Sequence, residues 1–254
     1  MNHTTDEIEN FLKSVPISDV INELDKFRQD ERKSVKKIVE RYEKKYYKFS
    51  AEMKRLETIS YYEKKYYEKG IKFIAGIDEV GRGPLAGPVT AAAVILPKDC
   101  RIIGVDDSKK LSAKKRKELF LEIKENALAI GIGMVSNIVI DEINILRATY
   151  EAMRIAVSKL EIVPEQLLVD AVTIPEIDIP QEGIVKGDSK SISIAAASII
   201  AKVTRDELME KYGEVYNGYF FEKNKGYGSK EHIDAIKRKG LSPVHRKSFT
   251  KNFV

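Results

Sequence analysis

An apolar run, Ile74-Ala75-Gly76-Ile77, ends in two adjacent acids, Asp78 and Glu79, and passes within two residues into Gly81-Arg82-Gly83. A carboxylate leaves water at high cost unless a proton, a cation or hydrogen bonds compensate. Glycine gives up backbone order that a fold normally retains. Neighbouring side chains on a strand face opposite sides of a sheet. Asp78 and Glu79 therefore share one site only where the strand ends or bends, and Gly81 and Gly83 supply the bend. Two further acids stand in a similar setting. Asp170 ends the apolar run LLVD, and Asp188 follows GIVKG just ahead of a long helical stretch. With the intervening segments as crossovers, four carboxylates at the ends of three strands meet at one sheet edge.

Such a cluster repels itself. At about 4 Å and an effective dielectric near 20, each close pair costs around 4 kcal/mol. Protons or cations must reside there. All-oxygen ligands select hard cations, magnesium or manganese, over zinc or copper. The three histidines, His3, His232 and His245, include no pair at metal-ligand spacing. The one cysteine, Cys100, excludes an internal disulfide and a cysteine zinc site. Carboxylates around two metals about 3.5–4 Å apart suit phosphodiester hydrolysis. Singly, each acid has a plainer reading: Asp188 as a helix cap, Asp170 as a turn residue, Asp78-Glu79 as a surface turn.

The rest of the chain divides at about residue 70. Residues 1–70 are dense in Lys, Glu and Tyr, and predict two or three helices without a strong apolar face, read either as a solvated arm on the main domain or as an extra nucleic-acid or protein contact surface. From Ile71 the pattern alternates. KFIAGID, PVTAAAVIL and LAIGIGMVS predict strands, as do the shorter LLVD and GIVKG. KKRKELFLEIKENA predicts a helix with Leu119, Ile123 and Leu128 on one side. Residues 140–160 and SISIAAASIIAKVTRDELMEKY predict two long helices, and a basic tail includes a helix near KEHIDAIKRKG. A mixed β-sheet flanked by helices follows, an α/β class, with a helical N-terminal extension (1–70) and a catalytic domain (71–254) that ends in a helical segment. The start of the chain lacks a signal peptide's features and no apolar run reaches the ~20 residues of a membrane span, so a cytoplasmic protein with no membrane partner is expected. The net charge of +5 is compatible with an anionic partner.

GRGPLA, residues 81–86, fits the dinucleotide fingerprint G-x-G-x-x-G/A. That fingerprint must open a helix whose amides hold a pyrophosphate. Here Pro84, Gly87 and Pro88 interrupt, and a strand-like run follows. The glycines serve better as readers. Without side chains, Gly81 and Gly83 let backbone groups approach a sugar 2′-hydroxyl, which distinguishes RNA from DNA. Arg82 between them suits a phosphate.

IAGIDEVGRGPLAGPV resembles the opening strand of bacterial type 2 ribonuclease H, ribonuclease HII. DSKKLS (107–112), DEINI (141–145), LLVDA (167–171), VKGDSKSISIAAASIIAKVTRD (185–206), NKGYGSKEH (224–232) and HRKSF (245–249) continue the resemblance in order. It covers about residues 71–250, and Arg82, Gly83 and Pro84 favour type 2 over type 3. The resemblance implies a ribonuclease H-like fold. It also implies an endonuclease that cuts the RNA strand of RNA–DNA hybrids and incises at single ribonucleotides in duplex DNA, leaving a 3′-hydroxyl and a 5′-phosphate. By the same resemblance Asp78, Glu79, Asp170 and Asp188 are the catalytic carboxylates, holding two ions of Mn2+ or Mg2+. Gly81, Arg82 and Gly83 match the loop that senses the 2′-hydroxyl, and Tyr227 the tyrosine that stacks on the neighbouring deoxynucleotide sugar. Lys109, Ser189 and Lys190 lie in segments expected at phosphates. The segment after Asp170 reads AVTIPEID where many members have Gly-Asn. A monomer is expected. Two rivals stand beside this reading: a non-catalytic hybrid binder, which has no need of four converging acids, and a nucleotide-binding oxidoreductase, which needs a helix after Gly83.

Overall fold

The computed structural model of the chain describes residues 3–253. Two compact units divide it, Met1–Thr58 and Ile59–Val254.

The first unit contains α1 (Thr5–Ser14), α2 (Val20–Leu24) and most of α3 (Lys33–Ile59). Thr4 and Glu7 form a reciprocal capping box at the start of α1. The expected lack of an apolar face is corrected here. Ile8, Leu12, Val20, Leu24, Val35, Ile38, Val39 and Tyr42 are buried together in one small core. Their spacing of three and four residues makes stripes that the surrounding Lys and Glu obscure in the sequence.

The second unit opens with α4 (Tyr61–Tyr67) and is built on five strands: β1 (Ile74–Val80), β2 (Val89–Ile95), β3 (Ala129–Val135), β4 (Gln166–Asp170) and β5 (Gln181–Ile184). Their spatial order is β3-β2-β1-β4-β5. β1–β2 and β2–β3 pair antiparallel, whereas β1–β4 and β4–β5 pair parallel. The helices are α5 (Ala113–Asn126), α6 (Asn137–Ile143), α7 (Ile145–Ser158), α8 (Ile192–Val215), α9 (Phe221–Asn224), α10 (Lys230–Lys239) and α11 (Lys247–Thr250). This is the mixed, helix-flanked sheet that the alternation of patterns predicts. Ala75, Ile77, Ala91, Ala93, Leu167 and Val169 form one core with Ala148, Ala152 and Ala156 of α7. Ile74, Leu168 and Ile184 pack with Ile194 of α8 and with Tyr62, Tyr66 and Tyr67 of α4.

Several local expectations change. The helix expected over 140–160 is two helices, because Asn144 takes a left-handed φ of 68° and its side chain caps α7 through the Leu146 and Arg147 amides. Leu128 lies beyond the end of α5 and is exposed, unlike Leu119 and Ile123. The last strand is Gln181–Ile184 rather than GIVKG, since Lys186 turns the chain at a φ of 58°. Glu63, on a helix that reads as solvent-facing, is buried. Its Oε1 accepts from the Ser191 hydroxyl at 2.5 Å and the Ser193 amide at 3.0 Å, in the first turn of α8. Among the described residues no helix is long and apolar enough to cross a membrane.

Small residues let α8 lie directly on the sheet. A Cβ at Gly76 would stand 2.1 Å from the Ser193 carbonyl carbon, whereas one at Gly83 would meet nothing nearer than 3.9 Å. Gly76→Ala is therefore expected to cost about 1–3 kcal/mol of stability, with Gly83→Ala near neutral. Urea denaturation of the two variants checks this; equal midpoints would contradict the close packing.

Candidate active site

The topology delivers the acids. β1, β4 and β5 are mutually parallel, so their C-terminal ends lie at the same edge, where open α/β sheets place ligands. The register pairs Ile77 with Val169, which sets Asp170 level with Asp78. Asp188 follows β5 on a single 3-10 turn, Gly187–Ser189. The Gly187 amide donates to Asp170 Oδ1 at 2.7 Å and joins the two segments. Asp188 does not cap the long helix; Ser191 does, accepting from the Ile194 amide. Ala171 takes a left-handed φ of 58°, a conformation that suits glycine, and its amide donates to the Ile184 carbonyl at 3.0 Å.

Electrostatics tie the acids into one cluster. Asp78 is buried, and burial, then Glu79 and then Asp170 push its carboxyl well above the ordinary value, against the pull of a Ser198 hydrogen bond. Burial raises Glu79 too, with Asp170 adding to it, while Arg82 and Lys109 oppose. Asp188 is raised by burial, by Asp107 and by Asp170. Lys109 is pulled down by burial, yet Asp107, Asp78, Asp188 and Asp170 leave it net raised. Sequence reasoning missed Asp107, which adds to the rise at Asp188, and Ser198, whose hydroxyl lies 2.9 Å from that of Ser108. The DSKKLS segment and the serine nearly two turns into α8 are visible in the sequence, but not their facing. Ser189 turns back to the Lys186 carbonyl, and Lys190 is exposed.

Among the described residues, no three histidine, cysteine or carboxylate side chains stand close enough to hold a metal ion as placed. The carboxylates take local partners instead. Asp78 Oδ1 accepts from the Glu79 amide at 2.7 Å, and Glu79 Oε1 faces Arg82 Nη1 at 3.4 Å.

The glycine loop leaves this edge directly. No helix follows Gly83; β2 begins at Val89, so the dinucleotide fingerprint lacks its helix. Two buried arginines hold the loop, and among the described residues neither has a carboxylate as a hydrogen-bond acceptor. Arg246 donates to the carbonyls of Gly81, Arg82 and Gly87 at 2.6, 2.9 and 3.0 Å. Arg205 donates to the carbonyls of Pro88, Ala86 and Lys225 at 2.9, 3.1 and 3.0 Å. Gly81 has a φ of 89°, and a Cβ there would fall 2.2 Å from Arg205 Nε. Burial and the nearby Arg205 push Arg246 down to about 9, so it is still charged at neutral pH. Carbonyl dipoles thus replace counter-ions. Tyr227 is exposed and its ring edge flanks Gly83: a Cβ on that glycine would meet Tyr227 Cε1 at 3.9 Å.

Residues 75–252 match the family model for ribonuclease HII, and residues 4–67 match that for the ribonuclease HII N-terminal domain. The chain belongs to the ribonuclease HII family. It is 56% identical over 254 residues to a ribonuclease HII of Lachnoclostridium phytofermentans, covering 100% of this chain and 99% of the relative. A Clostridioides difficile ribonuclease HII is 54% identical over 248 residues, 98% of this chain and 97% of the relative. Among solved structures, the ribonuclease H2 from Pyrococcus horikoshii is similar at a TM-score of 0.61 and 29% identity, covering 71% of this chain and 96% of that one. A ribonuclease HIII in complex with Mn2+, at a TM-score of 0.59 and 20% identity over 72% of this chain and 69% of that one, shares the fold. Ribonuclease HII membership makes this chain a metal-dependent endoribonuclease.

A carboxyl whose folded pKa is raised binds more protons folded than unfolded. Its burden on stability is therefore greatest above the folded pKa and fades as pH falls toward the unfolded value near 3.8. Metal-free Asp78→Asn is expected to melt a few degrees above wild type at about pH 8, with the gap closing on acidification. Calorimetry in chelator reads it; a lower melting point for the variant at about pH 8 would contradict the repulsion.

Proposed function

We propose that Asp78, Glu79, Asp170 and Asp188 hold two divalent ions, Mn2+ or Mg2+, with substrate bound, and that this edge cuts RNA–DNA hybrids and duplex DNA carrying single ribonucleotides. The single observation that supports the reading is that the strands set these four acids at one sheet edge, where they influence one another electrostatically, with the Gly81–Gly83 loop leaving from the same strand. The donor set fits: it is all oxygen, and the neighbouring carboxylates raise the proton affinity of Asp78, Glu79 and Asp188, which a divalent cation relieves. To ligate, Asp78 and Glu79 must turn from their local partners, the Glu79 amide and Arg82. Divalent ions so held would supply the Lewis acidity that phosphodiester hydrolysis needs.

The chain's own residues do the rest. Arg82, freed from Glu79, faces a phosphate, as does Lys109 beside the cluster; Ser189 and Lys190 flank the same turn. Backbone groups of Gly81–Gly83, fixed by Arg246 and Arg205, meet the 2′-hydroxyl, and Tyr227 takes the adjoining deoxyribose on its ring face. The scissile phosphate is then the one placed over the acids, and hydrolysis leaves a 3′-hydroxyl and a 5′-phosphate.

Duplex DNA with one embedded ribonucleotide, incubated with and without Mn2+, is expected to be incised only with the ion. Asp170→Asn should reduce the rate by about a hundredfold or more, because the Gly187 amide bond survives but a ligand charge does not. Gly83→Ala should impair cleavage by filling the sugar site while leaving stability near wild type. Incision by Asp170→Asn at the wild-type rate would sink the assignment.

A further inference from the structure

Two buried histidines meet outside the carboxylate cluster. His232 and His245 are buried, and their Nε2 atoms lie 3.0 Å apart. Their proton arrangement follows from their outer partners. The Ser242 backbone amide, which can only donate, points at His245 Nδ1 from 2.9 Å, and the Ser242 hydroxyl lies 2.7 Å from the same atom. His245 Nδ1 is therefore bare, and a neutral His245 carries its proton on Nε2. That proton points at His232 Nε2, so the His232 proton sits on Nδ1. From there it is donated at 2.8 Å to the carbonyl of Tyr227. A directional chain thus runs from the Ser242 amide through two neutral imidazoles to the tyrosine backbone. Burial and the neighbouring His232 push His245 down to about 4, and burial lowers His232 as well, which favours the neutral pair.

The far end of the chain needs such a hold. Tyr227 stands between Gly226 and Gly228 with an exposed ring, and its carbonyl also receives the Ser229 amide at 2.8 Å. The near end is already anchored. His245 bridges Ala86, and the next residue is Arg246, whose guanidinium holds the carbonyls of Gly81 and Arg82. Tyr219 and Phe221 rings enclose the pair edge-on, at 4.9 Å from His245 and 5.3 Å from His232.

We propose that the His232–His245 pair is a positioning element that sets Tyr227 against Gly83 and so sets the preference for a single embedded ribonucleotide over a long hybrid. This rests on the reading of Gly83 and Tyr227 as the junction subsite. Neither histidine is a metal ligand or a proton donor to substrate in this role; both nitrogens of each ring are already committed.

Two measurements test it. The first is on the folded wild-type protein with 15N-labelled histidine. The chain has three histidines, and His3 is exposed, which sets its signals apart from those of the buried pair. Long-range proton–nitrogen spectra at neutral pH should show Nδ1–H for His232 and Nε2–H for His245. The opposite tautomers, or a doubly protonated ring, would overturn the chain of bonds whether or not any variant folds. The second is the ratio of kcat/KM for duplex DNA with one ribonucleotide to that for a long hybrid. His232→Phe keeps ring volume but cannot donate, and should lower the ratio roughly two- to tenfold, the value of one hydrogen bond. His232→Asn places an amide N–H where Nδ1 stood and should restore the ratio to within about twofold. An unchanged ratio in His232→Phe, or equal losses in Phe and Asn, would overturn the positioning role. Tyr227→Ala, run alongside, separates the two levels. If it leaves the ratio unchanged, the junction subsite fails and this inference with it. If it lowers the ratio and His232→Phe does not, only the inference fails.

Discussion

Like charges forced together out of water govern this molecule. Three parallel strands end at one edge, and their chain direction brings Asp78, Glu79, Asp170 and Asp188 there regardless of whether the fold gains from it. Burial and mutual repulsion raise the carboxyls of Asp78, Glu79 and Asp188 together. A fold carries such a liability when function recovers it on binding cations and substrate. The backbone at this edge is correspondingly over-determined: α8 lies against Gly76 with no room for a methyl group, and the Gly187 amide fixes Asp170.

The recognition side is organised by the opposite charge. Arg205 and Arg246 are fully buried and spend their donors on six backbone carbonyls from two loops. Breaking one of these sets would leave several carbonyls unpaired at once, so the loop is held as a unit. Arg82, the one arginine of the loop itself, remains exposed, and its guanidinium faces Glu79.

Much of this was legible in the sequence, and for physical reasons. Apolar runs closed by acids mark strand ends, and the stretch after Asp188 marks a long helix. What stayed hidden depended on facing rather than on local pattern. Asp107 and Ser198 join the acids only through tertiary approach. Arg205 reads as one more helical cation, yet it is buried under a loop more than a hundred residues earlier in the chain. His232 and His245 are too far apart in sequence to suggest a pair, and each has an ordinary surface reading until the fold is built. The N-terminal core escaped because charged residues dilute its stripes, and the break at Asn144 because a single left-handed residue outweighs the periodicity on either side.

The central claim is that the clustered carboxylates are destabilising until divalent cations neutralise them. Thermal unfolding of the wild-type protein across a Mn2+ titration tests it without substrate. A ligand that binds only the folded state raises the melting temperature progressively with its concentration. The account predicts such a rise for wild type and a much smaller one when Asp170 is replaced by Asn. A melting temperature that stays flat in Mn2+, in protein that still cleaves, would show that these acids do not carry the cations and would contradict the account.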